Sequence, residues 1–449
     1  MTTQLEVLNE LGTANGGQVR LRTRLAASWR AIRRPLFTLL TSAAIIAMVA
    51  GEAYSGLELR ELVVRRSLGS TGFDFVGWEV DALGQKANAI LSRPGAELSE
   101  TEQPSLVREY FAGIGRVADL NGEIKRIYAD PTVGDPAAAT AELEAELAAL
   151  REQQAGRRPA VERILEQQTA TVLAEESLTT LGSVFPPVSY LFTESPNLLV
   201  VSPRDRIVMD DSYHVNPGLP LERIEKIEDD VARELDVSTL IEDTGGISTY
   251  PTMVIEERSL DWVLSTIAHE WAHTYLFLRP LGQSYYNTGD TRTLNETTAS
   301  IIGDEIARRV MLRYYPELIQ PERWPQPLAN RPGWWAQRPE DQPFEFGAFM
   351  RETRLEADRL LNEGRVDEAE AYMESRRKVL VENGYDIRKL NQAYFAFHGS
   401  YAVGPAATDP IGAKLRALRL RSGTLAEFVR TVATFTSASD LDAALGGDK

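Results

Sequence analysis

The spacing of apolar and polar positions divides the chain into a helical first part, a short strand-rich part and a helical last part. Between residues 73 and 180, apolar side chains recur every three or four positions, which is the period of a helix with one buried face. Turn-forming residues interrupt this period at Arg93-Pro94-Gly95, Asp130-Pro131 and Ala155-Gly156. Helices are therefore predicted before the first strand at 76–90, 106–127, 137–154 and 159–181.

Short apolar runs bounded by turn residues come next, and such runs predict strands. The first of them, which we expect to form one small sheet, lie at 187–192, 198–202 and 206–210. After a predicted helix at 221–235, a further strand at 246–255 leads directly into the next helix. Its Pro251 fits an edge strand because proline has no N–H to donate to a neighbouring strand. The alternative is that this is the last core strand.

Beyond Pro316 the helical period returns and no further strand is predicted. A segment rich in proline and tryptophan, 323–335, is predicted to form a loop or lid. The helices predicted after it lie at 346–361, 366–381, 387–401, 411–420 and 425–435. The pattern therefore predicts an α+β protein that is mainly helical.

The helix after strand 246–255 carries a candidate catalytic motif in the segment Ser-Thr-Ile-Ala-His-Glu-Trp-Ala-His-Thr, residues 265–274. His269 and His273 are four positions apart, so both imidazoles leave the same helix face and can bind one Zn²⁺. Glu270 projects beside them, where it can act on a metal-bound water. The alternative is a half-buried helix with two ordinary histidines, but that reading does not require glutamate at the second position. The motif therefore predicts a zinc site.

A third protein ligand has to come from elsewhere, because a catalytic zinc ion has three protein ligands and an open fourth position. A second helix is predicted from Thr293 toward Tyr314, and its Glu296 is the candidate ligand. Alternatively, Thr293 and Glu296 form a capping box at the start of that helix. A metzincin would need glycine and histidine where this chain has Leu276 and Arg279, so that class is excluded.

The segment His-Glu-Trp-Ala-His, residues 269–273, has the pattern HExxH. Together with the segment around Glu296 it resembles the gluzincins, zinc peptidases whose third ligand is a glutamate on the helix after the HExxH helix. The segment Asn295-Glu296-Thr297-Thr298-Ala299 is similar to their second motif. Over residues 262–310 the chain looks most like a bacterial family of membrane-attached predicted aminopeptidases. The resemblance implies a zincin-like catalytic domain with a small mixed sheet and active-site helices, and a helical C-terminal lobe across the metal. Many members have aspartate four residues after the ligand glutamate, where this chain has Ser300, with Asp304 one turn later.

The resemblance also implies a tyrosine or histidine in the helical lobe that stabilises the oxyanion. That lobe has one histidine, His398, which is flanked by Tyr394 and Tyr401 at helical spacing. We expect His398 or Tyr401 to face the zinc cleft as the donor. The alternative is that Tyr394, Phe397, His398 and Tyr401 form an aromatic helix face packed into the core.

Composition and charge exclude some kinds of site and predict how the chain is placed relative to a membrane. The chain has 449 residues, no cysteine and a net charge of −17, so a disulfide framework and a thiolate metal site are excluded. Nucleic-acid binding is not expected, because the acidic chain would repel phosphates.

Six arginines in residues 1–34 precede an uncharged apolar run, 35–51, which is close to the minimum length for a membrane span. Basic residues on the N-terminal side predict that this end is cytoplasmic. A cleaved signal peptide or a buried globular helix are the alternatives.

We therefore expect a membrane-anchored, zinc-dependent peptidase that acts on a peptide or protein substrate, with Glu270 as general base. It would be a single-pass protein of the cell membrane with its catalytic domain outside the cytoplasm. The alternative function is a catalytically degenerate zincin-fold envelope scaffold or partner-binding protein. The sequence leaves the choice between aminopeptidase and endopeptidase open, and the oligomeric state too. The predicted parts are a basic cytoplasmic N-terminus (1–34), a transmembrane helix (35–53), a helical stalk region (54–182), a zincin-like catalytic subdomain (183–320) and a helical C-terminal lobe (321–449).

Overall fold

A computed structural model describes residues 59–319, 344–399 and 410–446. These residues belong to the compact unit Leu57–Lys449. They form a mainly helical α+β structure with two small sheets, which confirms the prediction of a mainly helical α+β protein. The predicted transmembrane helix at 35–53 lies outside the described residues. Within the described ranges, no helix is both long enough and apolar enough to cross a membrane.

The helices that precede the first strand are α1 (Leu59–Leu68), α2 (Phe75–Ser92), α3 (Glu102–Ala129) and α4 (Pro136–Glu175). The predicted break at Ala155-Gly156 is wrong, because α4 continues through this point with Pro159 inside it. Packing explains the continuity: the Gln154 amide donates to the Tyr110 carbonyl of α3 at 2.6 Å. Side chains of α3 and α4 also lie in the same hydrophobic core as the helix that carries the HExxH motif. The region predicted as a stalk is therefore part of the compact unit.

The strands within the described residues form two separate three-stranded sheets, so the expectation that the first three runs form one sheet is wrong. They are β1 (Tyr190–Phe192), β2 (Asn197–Pro203), β3 (Asp211–Val215), β4 (Val237–Glu242), β5 (Gly246–Ile247) and β6 (Thr252–Val254). One sheet has the order β3-β2-β4 and is antiparallel. The other has the order β1-β6-β5, with β1 parallel and β5 antiparallel to β6, and is therefore mixed.

Two strand positions also differ from the predictions. The third strand lies at Asp211–Val215, and the run 206–210 precedes it without being a strand. The predicted strand 246–255 is divided into β5 and β6 by a turn that contains Pro251. Because Pro251 lies in this turn, it is not on an edge strand. The edge strands of this sheet are β1 and β5, and β6 is central.

The two edges of the mixed sheet have different environments. On the β1 edge, carboxylates of α4 accept the outward N–H groups: Tyr190 N–H donates to Glu166 at 2.9 Å and Phe192 N–H to Glu162 at 2.8 Å. Burial raises the pKa of Glu162 to about 6. Lys86, at 2.8 Å from Glu166, offsets the buried negative charge. At the other edge, β5 pairs with β6 on one side only, as far as the described strands go.

The later helices are α5 (Leu221–Leu235), α6 (Leu260–Phe277), α7 (Pro280–Gln283), α8 (Gly289–Tyr314), α9 (Phe346–Asn362), α10 (Val366–Glu382), α11 (Gln392–Gly399), α12 (Ile411–Arg421), α13 (Leu425–Val432) and α14 (Ala438–Ala444). Those after α8 contribute mainly to two cores. Residues of α12 and α13 pack with α6 and α8, whereas residues of α9, α10 and α11 pack over β2 and β4. The predicted C-terminal lobe therefore contributes to two parts of the unit.

The environment of His214 on β3 predicts a pH dependence of stability. Burial lowers the pKa of His214 to about 4, and its ring meets that of Phe75 at 4.8 Å. The unfolded chain takes up this proton below about pH 6.5, so stability that is fully present above 6.5 is lost as the pH falls toward 4. We expect His214→Phe to reduce this loss by about 1–3 kcal/mol. Urea unfolding of both proteins between pH 7 and 4 measures the difference, and parallel curves would contradict the prediction.

Candidate metal centre

Close packing of α6 against α8 brings the two sequence motifs together. At Gly303 of α8, an added Cβ would lie 2.7 Å from the Ser265 carbonyl oxygen and 3.2 Å from the His269 Cβ. Real Cβ atoms do not approach a carbonyl oxygen this closely, so only glycine permits the observed approach. As a result His269, Glu270 and His273 of α6 face Glu296 of α8.

The start of α8 decides between the two readings of Glu296. Thr288 is the N-cap residue, and it forms the capping box with Thr291. Glu296 lies about two turns further along the helix and is buried, with 7% of its surface exposed. A residue there is beyond the first turn, where capping acts. The capping-box alternative for Thr293 and Glu296 is therefore wrong.

The side chains of His269, His273 and Glu296 converge on one point. The two imidazole Nε2 atoms are 3.0 Å apart, and Glu296 Oε2 is 3.5 Å from Nε2 of His269 and 3.4 Å from Nε2 of His273. Ligand atoms at about 2.0–2.1 Å from a tetrahedral zinc ion are about 3.3 Å apart. The three distances therefore match one face of a zinc coordination tetrahedron. Among the described residues, these are the ones whose ligand atoms could hold a metal ion together.

Hydrogen bonds at the far side of each ring orient the two imidazoles. His273 Nδ1 is 2.7 Å from the amide oxygen of Asn295, and His269 Nδ1 is 3.4 Å from the hydroxyl of Ser300. The amide oxygen can only accept, so Nδ1 of His273 donates and its Nε2 keeps a lone pair for a metal. This is the usual outer support of a metal-binding histidine.

Tyr285 holds the carboxylate of Glu296, and the sequence did not indicate this residue. Its hydroxyl donates to Glu296 Oε1 at 2.5 Å, while Oε2 faces the two imidazoles. Each carboxylate oxygen thus has a separate partner. Tyr285 follows the short helix α7 in the connection between α6 and α8. The guanidinium carbon of Arg292 lies 5.6 Å from the centre of the Tyr285 ring. A tyrosine in a turn carries no pattern, so only the packing reveals its position.

Glu270 lies beside the side chains of His269, His273 and Glu296 and against β5. Its side chain is buried, and an added Cβ on Gly246 would lie 3.0 Å from Glu270 Oε1 and 2.8 Å from the Thr266 methyl group. Burial raises the pKa of Glu270. Gly246 therefore lets the edge strand approach the carboxylate that the sequence assigns as general base.

The charges of the site favour a bound cation. Burial lowers the pKa of His273, but attraction by Glu296 outweighs it, and the pKa rises to about 9. Conversely, burial raises the pKa of Glu296, but the two histidines outweigh that effect and hold it well below its usual range. Positive charge therefore stabilises the buried carboxylate of Glu296; a proton on His273 supplies it here, and a divalent metal ion could supply it in place of that proton.

Of the two residues predicted as oxyanion donors, the structure describes only His398. His398 lies on α11, with its ring 4.2 Å from that of Tyr394 and its Nε2 3.8 Å from Glu242 Oε1. Tyr394 and Phe397 of the same helix are buried in the core over β2 and β4. This arrangement favours the alternative of an aromatic face packed into the core. Tyr401 lies outside the described residues, and a role for His398 or Tyr401 in catalysis stays a prediction.

No protein-family model, curated protein or solved structure matches the chain. The resemblance to gluzincins therefore still depends on the two motifs. An argument for function has to come from the geometry of the site.

The geometry predicts that Glu296 is required for metal binding. We expect Glu296→Ala to retain less than about a tenth of the zinc of the unchanged protein after dialysis, because two imidazoles alone bind zinc weakly. Metal per chain, measured by atomic absorption, tests this. Asp290→Ala removes an exposed carboxylate of the same helix and should keep full zinc. One zinc ion per chain in Glu296→Ala would contradict the ligand assignment.

Proposed function

We propose that this protein is a zinc-dependent peptidase. The observation that supports this most directly is the triangle of ligand atoms on His269, His273 and Glu296, with the buried carboxylate of Glu270 beside it. Three protein ligands fit a catalytic zinc ion better than a structural one, which has four. When bound, zinc supplies a Lewis acid that polarises a carbonyl group and lowers the pKa of water.

In this proposal Glu270 moves the proton. Burial raises the pKa of Glu270 toward neutral pH. A group whose pKa is nearer the working pH can both accept a proton and donate it again. Glu270 would accept a proton from water and transfer it to the leaving amine. The hydroxyl of Ser248, just after β5, donates to the Glu270 carbonyl oxygen at 3.1 Å and lies 3.0 Å from the hydroxyl of Thr274. These contacts fix the edge strand relative to the helix that carries the base.

The edge strand supports a peptide as the substrate. Ile255 N–H donates to the Gly245 carbonyl at 3.1 Å, and Gly246 is opposite Val254. Hydrogen-bonded and non-hydrogen-bonded pairs alternate in an antiparallel ladder, so Gly246 directs its own N–H and C=O away from β6. An extended peptide that pairs with these groups would lie next to Glu270. A backbone-binding edge beside the base favours peptide bonds over small esters or amides.

The proposal predicts that Glu270→Gln separates metal binding from hydrolysis. The three ligands remain, so zinc should stay at one per chain, whereas kcat on a cleaved peptide should fall by at least about 10³-fold because the proton acceptor is lost. Zinc content and cleavage of a peptide library measure the two properties. Glu257→Gln, which changes a partly exposed residue before α6, is the control.

Two outcomes would contradict this function. Loss of zinc from Glu270→Gln would mean that Glu270 is a ligand or a folding residue and not the base. Stoichiometric zinc in the unchanged protein with no cleavage of any library peptide would favour the catalytically degenerate scaffold.

We also propose that the protein is anchored in the cell membrane by the apolar run within 35–53, with the catalytic part outside the cytoplasm. The support is the cluster of arginines before that run and the acidic remainder after it. Protease added to intact cells should digest the part after residue 53 and spare about the first 30 residues. Disrupted cells serve as the control, in which both parts become accessible. Protection of the catalytic part in intact cells would contradict this topology.

A further inference from the structure

The two ligand histidines differ in the group that holds their second ring nitrogen. His273 Nδ1 is 2.7 Å from an amide oxygen, that of Asn295. His269 Nδ1 is 3.4 Å from a hydroxyl, that of Ser300. A hydroxyl can donate or accept, so by itself it does not determine which nitrogen of His269 carries the proton. The direction of the Ser300 hydroxyl therefore decides the tautomer of a metal ligand.

A second contact fixes that direction. Ser300 Oγ donates to the carbonyl oxygen of Glu296, one turn earlier on α8, at 2.9 Å. A hydroxyl has one proton, so the bond to Glu296 leaves only lone pairs to face His269. Nδ1 of His269 must then be the donor, and Nε2 keeps its lone pair on the side of Glu296 Oε2 and His273.

The same hydroxyl joins the two helices at the ligands. Through it, the ring of His269 on α6 is tied to the backbone of Glu296 on α8, next to the close approach at Gly303. A shift of one helix against the other would therefore move a ligand and its support together. The group that accepts from His269 Nδ1, the hydroxyl of Ser300, is also uncharged. A carboxylate in its place would increase the basicity of the imidazole more strongly.

We propose that Ser300 is a positioning residue, which selects the metal-binding tautomer of His269 and ties that ligand to the helix of Glu296. The inference rests on the zinc site of the proposed function. Because the acceptor is a neutral hydroxyl at 3.4 Å, Ser300 supports metal binding less strongly than a carboxylate would.

Three variants of Ser300 and one control test this inference. Ser300→Ala removes the acceptor, Ser300→Thr keeps the hydroxyl, and Ser300→Asp supplies a charged acceptor. Ser67→Ala is the control, since Ser67 is also a helical serine whose hydroxyl donates to the carbonyl four residues earlier, that of Val63, at 3.1 Å. It lies on α1, among residues of a different hydrophobic core.

The zinc Kd, measured by competition with a chelator, is the main readout. We expect Ser300→Ala to weaken zinc binding about tenfold or more, Ser300→Thr to stay within about threefold, and Ser300→Asp to tighten it about tenfold. The visible spectrum of the cobalt(II)-loaded protein should change in Ser300→Ala and not in Ser300→Thr, because it reports the geometry of the ligands. Melting temperatures of Ser300→Ala and Ser67→Ala should be similar.

The outcomes separate this inference from the proposed function. An unchanged zinc Kd and cobalt spectrum in Ser300→Ala would overturn the positioning role while leaving the zinc site intact. Unchanged or weaker binding in Ser300→Asp would overturn the effect assigned to the neutral acceptor. Absence of zinc binding in the unchanged protein would overturn the proposed function, and this inference with it.

Discussion

The packing of α6 against α8 is the constraint on which the candidate site depends. It brings together two motifs that are separated by a turn, the short helix α7 and the first turns of α8, and it places side-chain atoms of His269, His273 and Glu296 3.0–3.5 Å apart. Gly303 allows this, since any side chain there would overlap the Ser265 carbonyl or the His269 side chain. Buried apolar residues of both helices lie in one core with those of α3, α4, α12 and α13. The surrounding helices thus stabilise the crossing, and the crossing sets the spacing of the ligand atoms.

The packing of α6 against α8 also buries charged side chains, which then need partners. Close packing buries Glu270 and Glu296 beside two imidazoles, and buried charges are costly unless they are paired. Three of their polar atoms have a defined partner outside the group: Tyr285 for one oxygen of Glu296, Asn295 for His273 and Ser300 for His269. The mixed sheet shows the same principle, because Glu162 and Glu166 cover its β1 edge with Lys86 as counter-charge. Its β5 edge instead lies against Glu270.

Much of this arrangement could be predicted from local sequence. The helical periods gave the boundaries of α5, α9 and α10 within about one residue. The HExxH spacing indicated His269, Glu270 and His273 because a helix alone places the two histidines on one face with the glutamate beside them. The role of Glu296 depended on a resemblance, since a glutamate three residues after Thr293 also fits a capping box. The structure removes that alternative by starting α8 at Gly289.

Features that depend on contacts between distant residues could not be predicted. Ala155-Gly156 predicted a break in α4, but the contact between Gln154 and Tyr110 belongs to tertiary packing. The division of the strands into two sheets depends on pairing partners, which strand propensity does not specify. Tyr285 and the acceptor role of Ser300 follow from side-chain positions at the helix crossing. The aromatic period around His398 was visible in the sequence, yet it equally fits the core packing that Tyr394 and Phe397 adopt.

The central claim is that His269, His273 and Glu296 hold one zinc ion, and X-ray absorption at the zinc edge tests it most directly. For the zinc-loaded protein, we expect about four nitrogen or oxygen ligands at about 2.0–2.1 Å, with the multiple-scattering signature of two imidazoles. Replacing His269 by alanine should reduce that signature to one imidazole. A spectrum without imidazole, or with about six oxygen ligands, would contradict the account.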